Sequence, residues 1–503
     1  MDASLYSYDG SAALTDYSAL EPFSSESDSL YVASYTTGIS GTESADAVGA
    51  LDVNLSTGDG YDYLNVWASA NGTSSTLEAA GLLGTSTGSE QQQSVLDTGA
   101  DSDYVSINAS ANGNQWQWQL NPDTGSWEST LTQADQATAV GIDNYTVNLG
   151  DGDDSLNVSA SASGADPSAT GILDSNVDTG TGSDYVNVSA WTSDSTTWDP
   201  AVGIQDTNLS TGDGYDYLNV WASANGTSST LEAAGLLGTS TGSEQQQSVL
   251  DTGADSDYVS INASANGNQW QWQLNPDTGS WESTLTQADQ ATAVGIDNYT
   301  VNLGDGDDSL NVSASASGLN TSSTGLLNTI IDTGTGNDTA IISASAIRTD
   351  STTSGLSANK AEINLGSGDD NLVLNGGTVD SIVRGGEGSD RVQISGVNTE
   401  QITTTRTGGQ SYDISYTLSG VTYSLKLESV ETIVADNGSI SLDYSPLPES
   451  TGQAPTAPSN QGESSSTPSN QATTAVTRGR SSRSGRSGSG RNSGGRSTGR
   501  GRR

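Results

Sequence analysis

The chain reads as an all-β repeat protein, a β-solenoid built from stacked rungs. Three observations predict this. A unit typified by Asn148–Ala160, NLGDGDDSLNVSA, recurs ten times. Residues 54–164 are repeated letter for letter as 208–318, an offset of 154. Only 32% of the 503 residues are hydrophobic and 60 are glycine, too few large aliphatics for a compact globule but enough for a thin stacked interior.

In the repeated unit, Gly150 and Gly152 allow a tight turn, and Asp151, Asp153 and Asp154 load it with carboxylates. Leu156, Val158 and Ala160 then share one parity, opposite Ser155, Asn157 and Ser159. That alternation is a strand with one apolar face. The aspartate closing each turn falls at Asp62, Asp103, Asp154, Asp184, Asp216, Asp257, Asp308, Asp338, Asp370 and Asp390. The first eight spacings, 41, 51, 30, 32 and again 41, 51, 30, 32, are a four-rung block played twice. A degenerate eleventh copy surrounds Asp28. Each unit is too short to bury its own face, so neighbours must stack, which brings like turns into register along one edge.

Residues 1–53 read as an N-terminal cap with a poor first rung, in which Leu30 and Val32 keep the phase and Phe23 is placed to plug the open end. Residues 54–394 form the repeats. Each begins near a short element such as AVGIDN (139–144) and passes through a short strand, the aspartate turn and a longer strand. Inward positions run large to small, as in Leu64, Val66, Ala68 and Val186, Val188, Ala190, which suits a tapered interior. The longer rungs carry insertions. Residues 74–93 read as a loop with a short helix over SSTLEAAGLLG. Residues 114–130, NQWQWQLNPDTGSWEST, read as a protruding or folded-back hairpin with turn chemistry at Asn-Pro-Asp-Thr-Gly. Its Trp116, Trp118 and Trp127 are candidates either for stacking on sugars or for packing on the solenoid wall. Trp67, Trp191 and Trp221 fall on the outward parity, beside Asn65, Asn187 and Asn219. That face is open to glycan or covered by the hairpins. Residues 395–446 end the solenoid with an antiparallel β cap, a hairpin turning at Ser419-Gly420 and then a further strand. Residues 447–477 have the composition of a disordered linker, and 478–503 that of a disordered Arg/Gly/Ser tail.

Charge narrows the chemistry. Up to Thr477 the chain has 61 acidic residues against six basic ones, and no Lys or Arg precedes Arg348. A folded body so charged repels itself, and bound divalent cations would neutralise it. The alternative is a solvated acidic surface. Cysteine and histidine are absent, which excludes disulfides and removes the usual zinc, copper and iron ligands. The remaining hard oxygens suit calcium. A glycine turn exposes carbonyls and its closing aspartate adds a carboxylate, so two stacked turns make a site between rungs. The ten aspartates are the candidate metal ligands, and purely structural Asp/Gly turns are the alternative.

Gly385–Gln393, GGEGSDRVQ, is a full match to GGxGxDxUx, and Leu149–Asn157, Leu303–Asn311 and Leu365–Val373 match except for the first glycine. These turns resemble the RTX, or haemolysin-type, calcium-binding repeat. Thr98–Ser106 and Thr252–Ser260 depart from it, with Asp101 and Asp255 at the fourth position, although Asp tolerates positive φ better than most. The resemblance covers about two thirds of the chain. It implies a parallel β-helix or β-roll, calcium on the sixth-position aspartates and turn carbonyls, and type I secretion. The family's repeats usually come every nine residues on alternating edges. Here one turn per rung of about thirty would place calcium on one edge only.

The N-terminus has no basic n-region or apolar run, and no stretch approaches membrane-spanning length. The expected function is a non-enzymatic, calcium-binding extracellular protein with a structural or adhesive role at a bacterial surface or matrix. Its expected partners are calcium ions and, through the basic tail, surface polysaccharide or another polyanion; nucleic acid is not expected. A lyase- or epimerase-type β-helix enzyme is the alternative, against which stand the missing histidine and the missing basic residues before Arg348. A glycan-binding module is a further alternative.

Overall fold

The computed structural model describes residues 2–8, 13–14, 27–38, 44–85, 94–121, 127–195, 198–227, 229–239, 248–274, 280–348 and 352–445. Phe23, the linker and the Arg-rich tail lie outside them.

Alternating side chains and periodic turns give three long sheets, each made of strands contributed once per rung. One complete rung runs Tyr145–Asn148, the aspartate turn, Ser155–Ser163, a second corner, then Pro167–Leu173. Each strand pairs in parallel with its counterparts in the rungs before and after. Leu156, for example, lies beside Val105 and Val186, and Ala139 beside Ala79 and Ala169. The three stacks are the first face, continuing Tyr145–Asn148; the second face, continuing Ser155–Ser163; and the third face, continuing Pro167–Leu173. The chain is therefore a three-sided parallel β-solenoid, its second face opening at Asp2–Ser7, its third at Ser44–Leu51 and its first at Leu55–Ser56. The turns themselves pair, as Ala100 with Asp151 and Asp151 with Thr181. No α-helix occurs among the described residues, and none there is long and apolar enough to cross a membrane.

The interior tapers. Leu156, Val158 and their equivalents join Val147 and Ile142 in one continuous aliphatic core beside the aspartate turns. Toward the corner between the second and third faces the lining is almost all alanine, including Ala160, Ala162, Ala137 and Ala139. Each fully buried Leu or Val contributes about 1.5–3 kcal/mol, so the aliphatic column carries most of the hydrophobic stabilisation.

The third face corrects the expected helix. Thr76–Leu83, TLEAAGLL, is a strand of that face, with Leu77, Ala79 and Leu82 buried. Leu, Glu and Ala favour a helix in isolation, but stacking between Ser44–Leu51 and Gln136–Asp143 overrides that preference. The short elements such as AVGIDN are likewise parts of full strands. Their glycine lets the third face approach the second: a Cβ on Gly141 would lie 2.3 Å from Val158 Cγ1 and 2.5 Å from the Gly171 carbonyl oxygen.

The inserted hairpin forms as expected. Asn114–Leu120 pairs antiparallel with Trp127–Gln133. Packing of its tryptophans on the wall is overturned, because Trp116, Trp118 and Trp127 are 61, 66 and 66% exposed. Trp67, Trp191 and Trp221 also stay exposed on the second face rather than covered. At the C-terminal end Ser411–Leu418 and Val421–Glu428 form the anticipated antiparallel hairpin, with Ser419 and Gly420 both at positive φ. Val421–Glu428 then pairs in parallel with Ser381–Arg384, closing the first face, where Arg384 bridges Glu362 and Glu428.

Candidate metal-binding ladder

Every turn aspartate occupies the same place. Asp62, Asp103, Asp154, Asp184, Asp216, Asp257, Asp308, Asp338, Asp370 and Asp390 are all at most 4% exposed. The glycine at the motif's second position sets the geometry: Gly150 has φ +102°, and a Cβ there would lie 1.6 Å from the carbonyl oxygen of Gly99 in the rung before. At the fourth position Asp101 and Asp255 take φ 75°, so the two departing turns keep the left-handed backbone that glycine supplies elsewhere.

The aspartates form one hydrogen-bonded column. Each backbone N–H donates to Oδ1 of the aspartate in the next rung: Asp62 to Asp103 at 2.8 Å, Asp103 to Asp154 at 2.7 Å, Asp154 to Asp184 at 2.8 Å, and so on to Asp370 and Asp390 at 3.2 Å. Asp28 begins the column, its N–H donating to Asp62 Oδ1 at 2.8 Å. Glu431 ends it, with Oε2 accepting from the Asp390 N–H at 2.8 Å. Sequence reading missed Glu431. Its signal is that Thr432 pairs with Arg391, which puts Glu431 in the aspartate column.

The second carboxylate oxygen is the unusual feature. Oδ2 of Asp62, Asp103, Asp154, Asp216, Asp257, Asp308, Asp338, Asp370 and Asp390 is buried and makes no hydrogen bond. No salt bridge reaches these groups among the described residues. Burial pushes Asp103, Asp154, Asp257, Asp308 and Asp370 up to about 7 and Asp216 and Asp390 to about 6. It also raises Asp62, Asp184 and Asp338. Asp184 differs because Thr179 Oγ1 donates to its Oδ2 at 2.5 Å.

A threonine column lies beside the aspartates and was not singled out from the sequence. Thr57, Thr98, Thr179, Thr211, Thr252 and Thr333 open their turns fully buried. Thr98 Oγ1 donates to the Leu149 carbonyl at 2.9 Å, and Thr333 Oγ1 to that of Leu365 at 2.7 Å. Those protons go to carbonyls, which is why neighbouring carboxylates such as Asp103 keep a bare oxygen although a threonine nearby holds their shift down. The other turn acids face outward. Asp153 Oδ1 accepts from the Ser183 N–H at 2.8 Å, and Asp151 Oδ1 from Thr181 Oγ1 at 2.9 Å.

No family model and no curated protein matches the chain. Among solved structures it is similar to a hyperactive, Ca2+-dependent, beta-helical antifreeze protein from an Antarctic bacterium, at 15% identity and a TM-score of 0.33, over 87% of this chain and 94% of that one. At that identity and score the likeness carries no argument about what this chain does.

The donor set is a test of fit for a hard cation. Calcium takes about 6–8 oxygens, from carboxylates, carbonyls and water. Nothing but oxygen is on offer in the column, and nine buried carboxylate oxygens have no partner. The described residues bring no three acidic side chains together at one point. At most two carboxylates therefore meet at any one point, and the remaining ligands would have to be turn carbonyls, which every rung carries and which also accept rung-to-rung hydrogen bonds. The donor chemistry fits a hard cation.

Proposed function

We propose that the protein is a calcium-stabilised, non-enzymatic extracellular solenoid whose turns act as RTX-type half-sites, with a structural or adhesive role at a bacterial surface or matrix. The observation that supports this reading is the continuous column of ten buried turn aspartates, nine of them with a bare Oδ2 oxygen. Adjacent rungs lie about 4.8 Å apart, where two like charges repel by about 3 kcal/mol at an effective dielectric near 20. A column of ten cannot stay ionised, dry and without countercharge. Divalent cations remove both the repulsion and the unmet oxygen. Nine of the ten aspartates each offer a bare carboxylate oxygen, Asp184 would do so by giving up its bond from Thr179, and the turn carbonyls would complete the shell.

The same column speaks against catalysis, because its carboxylates are sealed under the turns and away from any substrate. Isothermal titration calorimetry of the chelator-stripped full chain with calcium is the test. Saturable binding of several ions per chain is expected, with magnesium far weaker because it demands octahedral geometry. An absence of calcium heats would leave the column a structural acid ladder.

A further inference from the structure

We infer that the cleft between the first inserted hairpin and the second face binds an uncharged saccharide chain, with Trp116 and Trp191 as its aromatic walls. The cleft has a volume of about 370 Å³, within the roughly 300–1,000 Å³ typical of small-ligand sites. Its floor is two cross-strand rows of the second face. One row is Ser110, Ser161 and Trp191, and the next begins with Asn112 and Ser163. Ser161 Oγ donates to Ser110 Oγ at 3.2 Å and Ser163 Oγ to Asn112 Oδ1 at 2.9 Å, so the floor is a fixed set of hydroxyl and amide groups.

The walls come from different rungs. Trp191 stands two strands from the hairpin's root, roughly 10 Å away by strand spacing. Trp116 rises from the hairpin, whose base is pinned where the Gly113 N–H donates to Ser163 O at 2.7 Å and Gln133 Nε2 to Asn114 Oδ1 at 2.9 Å. Cross-strand pairing puts Trp116 opposite Leu131, Trp118 opposite Ser129 and Leu120 opposite Trp127. Trp118 and Trp127 thus share Trp116's side of the ribbon and extend an aromatic face beyond the cleft. Exposed indoles over a floor of hydroxyls and amides match the two kinds of surface of a pyranose ring: C–H bonds for the indoles and O–H groups for the floor.

Charge fixes the ligand class. No Lys or Arg occurs before Arg348, so nothing here can pair with a uronate or sulfate, and the acidic surroundings repel one. Among the described residues no acidic side chain lines the cleft either, so a cation gains nothing there over a neutral ring.

The duplication supplies an internal control. Ser264, Asn266, Ser315 and Ser317 reproduce the floor in the second block, with Ser317 Oγ donating to Asn266 Oδ1 at 2.9 Å. The position equivalent to Trp191 is Ser345, paired with Ser315. The second block therefore lacks the far wall, and Trp191→Ser installs a residue the same fold already carries.

The test is calorimetric titration of the full chain in millimolar calcium with cellohexaose, laminarihexaose and chitohexaose, and with hexagalacturonate as the anionic comparison. The strand signal in circular dichroism is checked for each variant. Because saturating calcium is present throughout, a failure here is separate from a failure of the calcium reading. Binding of at least one neutral hexasaccharide is expected, weakened about tenfold or more by Trp191→Ser and by Trp116→Ala and unchanged by Trp281→Ala on the second hairpin. The inference is overturned if none of the three binds, if hexagalacturonate binds as tightly, or if Trp191→Ser has no effect. It is also overturned if the chain dimerises in sedimentation and Trp118→Ala dissolves the dimer, which would assign the aromatic face to a second copy.

Discussion

The backbone N–H of Asp103 donates to Oδ1 of Asp154 at 2.7 Å, and Oδ2 of Asp154 is left buried and bare. One carboxylate thus does two things. Its Oδ1 splices adjacent rungs, which an amide oxygen would do as well. Its Oδ2 charge, buried without a partner, is what a bound cation would neutralise. Asp154→Asn separates the two roles. In millimolar calcium the variant is expected to melt below wild type, by about 1–3 kcal/mol in stability. In chelator at pH 8 it is expected to keep at least as much strand signal as wild type, because a buried charge has been removed. Thermal melts in calcium and far-ultraviolet circular dichroism in chelator read this reversal.

Stability without metal depends on pH in a direction opposite to the usual carboxylate case. The folded values near 7 for Asp103, Asp154, Asp257, Asp308 and Asp370 lie above the unfolded carboxylate value. Between about pH 4 and 7 the folded chain holds more protons than the unfolded one, so stability falls as pH rises through that window. In chelator the chain should hold more strand structure at pH 5 than at pH 8, read by circular dichroism. With calcium bound, protons compete with the ion and the order should reverse.

Tyr145 ties together segments two rungs apart. Its side chain reaches past Ser94 in the neighbouring rung, and its Oη accepts from the Val53 N–H at 3.1 Å and donates to the Val53 carbonyl at 2.9 Å. Tyr299 repeats this with Thr207 in the second block, at 3.0 and 2.6 Å. Tyr145→Phe leaves two buried backbone groups unpaired and should destabilise by about 1–3 kcal/mol, with Tyr299→Phe similar. Urea or thermal unfolding of each variant checks it, and either variant melting like wild type contradicts it.

Glycine has two separate uses here, and substitution distinguishes them from mere abundance. Gly141→Ala drives a methyl into Val158 and the Gly171 carbonyl, whereas a Cβ on Gly409 meets nothing within 4 Å. Gly141→Ala should lose about 1–3 kcal/mol or fail to fold, while Gly409→Ala should melt as wild type does. Comparing the two melts decides it.

The aspartate column was legible because a turn motif followed by strict alternation fixes both the phase and the inward parity. Asp154 and Leu156 lie where that parity puts them. The C-terminal hairpin was legible for a similar local reason, its turn chemistry at Ser419-Gly420. The third face was not. TLEAAGLL and QATAVGID mix alanine, glycine and good helix formers, and only rung-to-rung pairing makes them strands. The Thr98 column and the reach of Tyr145 to Val53 were hidden because they depend on residues 51 and 92 positions apart. The exposure of Trp116, Trp118 and Trp127 was open in the sequence, since a two-faced ribbon gives the same alternation whether it folds back or stands away.

The central claim is that cation binding to the aspartate column is part of folding. Nine bare buried carboxylate oxygens and the spacing of about 4.8 Å between rungs make the metal-free column self-repelling, and binding energy then becomes folding energy. Far-ultraviolet circular dichroism of the full chain at pH 8, first in EGTA and then through a calcium titration, tests this most directly. The account predicts a weak, largely unordered spectrum in EGTA that converts cooperatively to a strand spectrum as calcium reaches millimolar concentration. A strand spectrum already complete in EGTA and unchanged by calcium would contradict it.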